Sequence, residues 1–272
     1  MDRELVLVIV ILVTGGIGAV AVGLVPSPRR SDDVVRSERA LWRAITRPLA
    51  AIGLVVATII GWALQEPRHA EVLRSPLLLL AALVAFVWVR AAVRAGFSLR
   101  TPADEPAMTI GLLHPRIVVS TEFAAAIDRD VLAAVIAHEA AHARHRDPLR
   151  IFIAQLATDL QWPSRQAHTR LDDWTSALEM ARDDEARSSG ADGADLAAGI
   201  VAAARIKQTT SGAVARLTGA QLVVRIERLL RPLSHHGAGS PSRTTGIIWL
   251  VALGAAVAFG ALCGESIVSA LS

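Results

Sequence analysis

The sequence predicts a mainly α-helical, polytopic membrane protein. It has four transmembrane helices and one cytoplasmic, mostly helical domain carrying a small β hairpin or edge strand. Three observations predict this. Hydrophobic residues make up 53% of the 272 positions but aromatic residues only 4%, which is not the balance of an ordinary soluble chain. The excess is gathered into four runs free of charge: Leu5 to Val25, Pro48 to Leu64, Pro76 to Val89 and Gly246 to Gly264. Between the third and fourth runs lies a long, charged, largely helical stretch.

About 20 apolar residues cross a bilayer. The first and last runs reach that length alone, and Arg90 and Arg94 can snorkel to the interface and lengthen the third. The expected organisation is residues 1–96 with spans at about 5–25, 48–64 and 76–96, a cytoplasmic domain and linker at 97–245, and a fourth span with its tail at 246–272. A cleaved signal peptide is the alternative for the first run, but its start, "MDRE", is net acidic and its apolar stretch exceeds the usual length. A buried soluble helix is the alternative for the short third run. Small residues recur every fourth position as Gly15, Ala19 and Gly23, as Gly53, Ala57 and Gly61, and as Ala256, Gly260 and Gly264, a pattern that lets helices approach closely.

Orientation follows from arginine. Arg29, Arg30, Arg36, Arg39, Arg43 and Arg47 stand between the first two runs, against Arg68 and Arg74 in the next loop. The richer loop is expected inside, which puts the domain inside and both termini outside. The net charge of +3 gives no support for nucleic-acid binding. The single cysteine, Cys263, excludes an intramolecular disulfide.

Within the domain, "AMTIGLLHPRIVVS" reads as a hairpin or edge strand, followed by a helix capped by Ser120 or Thr121. Asp130 is expected to cap the next helix, and Asp147 to cap the one after it with Pro148 in its first turn. Trp162-Pro163 breaks the chain before a long polar helix from about Arg165 to Ser189. Helices at about Ala194 to Lys207 and Leu217 to Leu230 follow, and then a linker. Arg225, Arg228 and Arg231 in "RIERLLR" read as lying on membrane lipid or on a solvated face.

The chemistry is concentrated in "AVIAHEAAHARHRDP", Ala134 to Pro148. His138 and His142 are four apart, so on a helix both rings reach one metal ion, and Glu139 stands beside them. This is HExxH: two imidazoles hold Zn2+ and the glutamate takes a proton from water. A pair of surface histidines is the plainer alternative. A third protein ligand must come from elsewhere. His145, seven residues after His138, sits roughly 10.5 Å along the axis, too far to share the ion. Glu179 in "LEMARDDEA" is better placed if its helix folds back antiparallel, and Asp183 then lies on the same face to accept a hydrogen bond from a ligand histidine.

"IGLLHPRIVVS", "VIAHEAAHARHRDP", "WP" and "EMARDDEA" in this order resemble the BlaR/MecR-type membrane zinc metallopeptidases. Glu179 to Ala186 also looks like the third-ligand element of the HtpX and CaaX-processing peptidases. The resemblance spans the four runs and the domain between them. It implies a zincin-type domain with zinc on His138, His142 and Glu179, Glu139 as general base and Asp183 in support. The sequence ends about eight residues after the fourth run, so a form lacking the family's extracellular sensor domain is expected. The implied substrate is a protein or peptide, with a BlaI-like repressor or another cytosolic regulator foremost. The chain lacks tyrosine, so the candidate oxyanion donors are His168, His114, Arg165 and Arg170. Arg116, Ile117, Val118, Val119 and Ser120 form a candidate substrate-binding strand. Two other readings remain open: a catalytically silent membrane transducer or scaffold, and a quality-control peptidase.

Overall fold

A computed structural model describes residues 33–65, 75–98, 105–210 and 215–232, with isolated positions between 9 and 21 and between 255 and 258. Among the described residues the protein is mainly helical with one small sheet. In chain order the elements are α1 (Val34–Gln65), α2 (Ser75–Ser98), β1 (Ala107–Ile110), β2 (Arg116–Val119), α3 (Thr121–Ala126), α4 (Arg129–Arg144), α5 (Asp147–Asp159), α6 (Arg165–Ser188), α7 (Gly193–Thr210) and α8 (Ala215–Leu229).

The arginine-rich segment expected as a loop is helical from Val34 onward and continues without a break, through Pro48, into the second apolar run. Its physical reason is a buried face. Leu41 and Ile45 of α1 pack with Ala154 and Ala157 of α5 and with Trp174, Ala177 and Leu178 of α6. Among the described residues one stretch, Val34–Thr58, is long and apolar enough to cross a membrane. The third run is helical over Ser75–Ser98. Its arginines are engaged by protein: Arg94 Nε lies 2.9 Å and Arg90 Nη1 3.8 Å from Asp159 Oδ1, a carboxylate fully buried on α5. The first and fourth runs, and the linker after Pro232, lie mostly outside the described residues. Gly15 does meet a neighbour, since a Cβ there would stand 3.4 Å from the Trp88 ring, whereas Gly53 faces nothing within 4 Å.

β1 and β2 pair antiparallel, with Thr109 opposite Ile117 and Ile110 opposite Arg116. Gly111 makes the turn at φ +95°, where a Cβ would stand 2.6 Å from the His114 carbonyl oxygen. Ser120 caps α3 by accepting from the Phe123 amide. Two expected caps fall elsewhere. Asp128, not Asp130, sits at the N-cap of α4 and makes no side-chain cap bond. Arg146, in the left-handed region at φ 51°, precedes α5, so Asp147 is already helical and its carboxylate is free for other partners. The Trp162-Pro163 bond is cis, and Ser164 then caps α6.

The helix bearing the motif is held on several sides. Ala134 of α4 packs with Ala186 of α6, Leu196 and Ala197 of α7 and Leu229 of α8. Gly199 lets α7 come close, since a Cβ there would stand 2.5 Å from Val135.

Candidate metal centre

Alanine-rich α4 has high intrinsic helix propensity, and its 3.6-residue period stacks His138 over His142. The two rings meet edge to face with centroids 4.7 Å apart. Helix α6 runs back past them, as expected, and brings Glu179 to the pair. His138 Nε2 and His142 Nε2 are 3.1 Å apart, His138 Nε2 is 3.5 Å from Glu179 Oε2, and His142 Nε2 is 3.5 Å from Glu179 Oε1.

These spacings can be tested against a metal. Four ligand atoms held tetrahedrally 2.0–2.1 Å from zinc are about 3.3 Å from one another. The three edges bracket that value. The donor set agrees too, because the opposite nitrogen of each ring is committed. His138 Nδ1 lies 3.0 Å from Asp183 Oδ1, and His142 Nδ1 lies 2.9 Å from Asp147 Oδ2. A carboxylate accepting at Nδ1 fixes the N–H there and turns the Nε2 lone pair inward. With both rings neutral, two lone pairs and a carboxylate then converge, an arrangement that favours a bound cation. The same attraction acts on a proton. Burial lowers the pKa of His138, but the carboxylates of Asp183 and Glu179 outweigh it and push it up from 6.5 to about 10.

Asp183 thus lies beside His138 Nδ1. Asp147, expected from the sequence as a helix cap, is the equivalent partner of His142. It is fully buried, and Arg182 Nε at 2.5 Å and Arg150 Nη1 at 3.0 Å hold it. Burial raises its pKa, but His142 and Arg182 prevail and hold it well below the carboxylate range.

Sequence reasoning also missed Arg225. From α8 its Nη1 reaches Glu179 Oε2 at 2.8 Å, while Nε and Nη2 fork onto Asp183 at 2.9 Å each. Its neighbour Arg228 pairs with Asp184 at 2.5 Å, so two of the arginines read as lipid- or solvent-facing are turned to α6. Burial raises the Glu179 pKa, but His138, Arg225 and His142 overcome this and hold it far below the usual range. His145 lies outside the cluster and pairs with Glu185 at 2.8 Å.

Glu139 is held from the sheet. Thr109 Oγ1, on β1, lies 2.8 Å from Glu139 Oε2 and 2.9 Å from the Glu139 carbonyl oxygen, so the hydroxyl donates within the motif. It is β1 that touches this glutamate. β2, which carries Arg116, Ile117, Val118 and Val119 ahead of Ser120, pairs with β1 and also packs along α4. The four candidate oxyanion donors have other surroundings. His114 is exposed in the hairpin turn, and Arg165 is exposed at the start of α6. Arg170 is buried and donates to Gln161 at 2.8 Å. His168 Nδ1 is 3.1 Å from the Ser164 carbonyl, and its eleven positions from Glu179 on α6 amount to about 16 Å along the axis.

Among the described residues His138, His142 and Glu179 form a group able to hold a metal ion. Comparison with curated proteins and with solved structures gave no match. Residues 90–171, which include His138, Glu139 and His142 and end before Glu179, match the model of Peptidase family M48, and that match indicates a metallopeptidase.

Proposed function

We propose that the chain is a membrane-anchored zinc endopeptidase acting on a cytosolic or membrane-proximal protein. The observation that carries this is the convergence of His138 Nε2, His142 Nε2 and the Glu179 carboxylate at 3.1–3.5 Å, with the Nδ1 atoms of both rings held by carboxylates. A zinc ion held by His138, His142 and Glu179 would supply a Lewis acid for the scissile carbonyl and would lower the pKa of a bound water. Glu139, held by Thr109, takes the proton from that water and delivers it to the leaving amine. A silent scaffold has no physical need for Glu139, so catalysis is the better reading.

Membrane anchoring is supported by α1 and by the exposed apolar face of α2, where Leu83, Phe86, Val89 and Val93 are 52–63% exposed. Residues three and four apart share a helix face, and a bilayer is the solvent that suits this one. Four spans with the domain inside remain our reading of the whole chain. The resemblance to BlaR/MecR-type peptidases makes a BlaI-like repressor the first substrate to test, with membrane-protein quality control as the other reading.

The test uses purified full-length protein and cells. Glu139→Gln is expected to keep about one zinc per chain and lose cleavage, whereas Glu179→Ala is expected to lose the zinc. Repressor half-life is then compared with wild type, Glu139→Gln and no protein. If the two proteins act alike and the null differs, binding rather than cleavage is the function.

A further inference from the structure

We propose that Glu38 of α1, a helix outside the HExxH site, is a positioning residue for the metal centre that acts on His142 through Arg150 and Asp147. The inference rests on the zinc reading above and adds how that site is tied to the membrane-proximal helix. Glu38 is 5% exposed on the face of α1 that packs on α6. Its Oε1 accepts from Trp174 Nε1 at 3.0 Å and pairs with Arg150 Nη2. The Arg150 guanidinium lies over Trp42 and Trp174, 4.8 and 5.6 Å from the ring centroids, so its plane is fixed by aromatic faces from α1 and α6. Its Nη1 donates to Asp147 Oδ1 at 3.0 Å, and Asp147 Oδ2 takes His142 Nδ1 at 2.9 Å. Charge alternates along the row: Glu38, Arg150, Asp147, then the ligand imidazole.

An apolar seam built from Leu41 and Ile45 needs no carboxylate, and a buried ion pair adds little stability over well-packed apolar groups. What Glu38 does supply is direction. It draws one end of Arg150 towards α1, so that Asp147 is shared between Arg150, Arg182 and His142 in a set geometry. Without that charge the guanidinium is left to Asp147 alone and competes with the His142 N–H for its oxygens. The imidazole then becomes a weaker and less fixed ligand.

The experiment uses the full chain in detergent, loaded with Co2+ as a spectroscopic probe. Glu38→Gln keeps an acceptor for Trp174 and removes the charge, and Leu41→Ala loosens the same seam without touching charge. Glu38→Gln is expected to raise the Co2+ and Zn2+ Kd about 3- to 10-fold, below the roughly 10–100-fold typical of a direct partner of a ligand, and to shift the visible band. Leu41→Ala is expected to lower Tm at least as far and leave Kd and band in place. In Glu38→Gln/Asp147→Asn the Kd is expected to equal that of Asp147→Asn alone. A fall in Tm with no change in Kd or band, or losses that multiply in the double variant, overturns the inference. Should Glu38→Gln not fold, Trp174→Phe removes the donor that anchors Glu38 and is expected to shift the band the same way; an unmoved band overturns the inference. Wild-type protein that takes up no Co2+ defeats the zinc reading and the inference together, whereas normal wild-type uptake with an unmoved Glu38→Gln defeats the inference alone.

Discussion

Arg225 grips Glu179 and Asp183 at once, with Nη1 2.8 Å from Glu179 Oε2 and its other two donors forked onto Asp183. One guanidinium thus aligns the carboxylate proposed as the third metal ligand and the carboxylate that faces His138 Nδ1. Only a planar fork makes all three contacts. Arg225→Ala is expected to weaken zinc binding by about 10–100-fold, and Arg225→Lys to recover only part of it. Competition with a chelator of known affinity measures this; equal affinity in all three proteins would falsify the role.

Thr109 gives a second, separable prediction. Its hydroxyl is the contact from β1 to Glu139 and touches no metal ligand. Thr109→Val preserves shape and removes the donor. A hydrogen bond to a charged group is worth about 1.5–3 kcal/mol, so kcat is expected to fall by about 10–100-fold with zinc content unchanged. Metal loss in Thr109→Val would show instead that the sheet supports the site as a whole.

The histidine pair makes zinc uptake depend on pH. Without metal, burial lowers the His138 pKa, but Asp183 and Glu179 raise it to about 10, so at neutral pH the ring is charged, with His142 and Arg225 also close by. Zinc needs the Nε2 lone pair and must displace that proton. Uptake at pH 7 is expected to release about one proton per ion, and affinity to climb about tenfold per pH unit up to the region of pH 10. The raised pKa also gives the metal-free fold stability that is whole below 6.5 and is lost as pH rises through about 10. Calorimetry in two buffers of different ionisation enthalpy reads the proton. Identical heats in both would rule the displacement out.

What was readable from sequence divides by distance along the chain. His138, Glu139 and His142 lie within one helical turn, so period alone places them together. Glu179 and Asp183 were reachable because a proline break implies a helix folding back, and four-residue spacing fixes a common face. Asp147 was misread because aspartate before proline is also the usual start of a helix, and only the structure shows Arg146 taking that place. Thr109 and Glu139 are 30 positions apart, and Glu38 and Arg150 are 112 apart, with no local pattern to join them. Arg225 failed differently: arginines spaced along and just past one helix read equally well as a solvated face, and the partners of Arg225 and Arg228 sit on another helix.

The membrane reading makes the last prediction. Six arginines between the first two runs favour a cytoplasmic side for the start of α1, and Leu41 and Ile45 there pack directly on α6. Whatever side holds Arg36 must therefore also hold the metal centre, because the same helix carries both the arginines and the packed face. α2 enters the domain by its other end, where Arg94 meets Asp159, while Leu83 to Val93 present an apolar face outward. In a Cys263→Ser background, a cysteine at exposed Gln166 on α6 or at Arg36 on α1 is expected to resist a membrane-impermeant maleimide in intact cells and to react once the cells are opened. Labelling of Gln166→Cys from outside would reverse the orientation and remove any cytosolic substrate. Labelling of one site without the other would break the link between α1 and the domain on which the Glu38 relay depends.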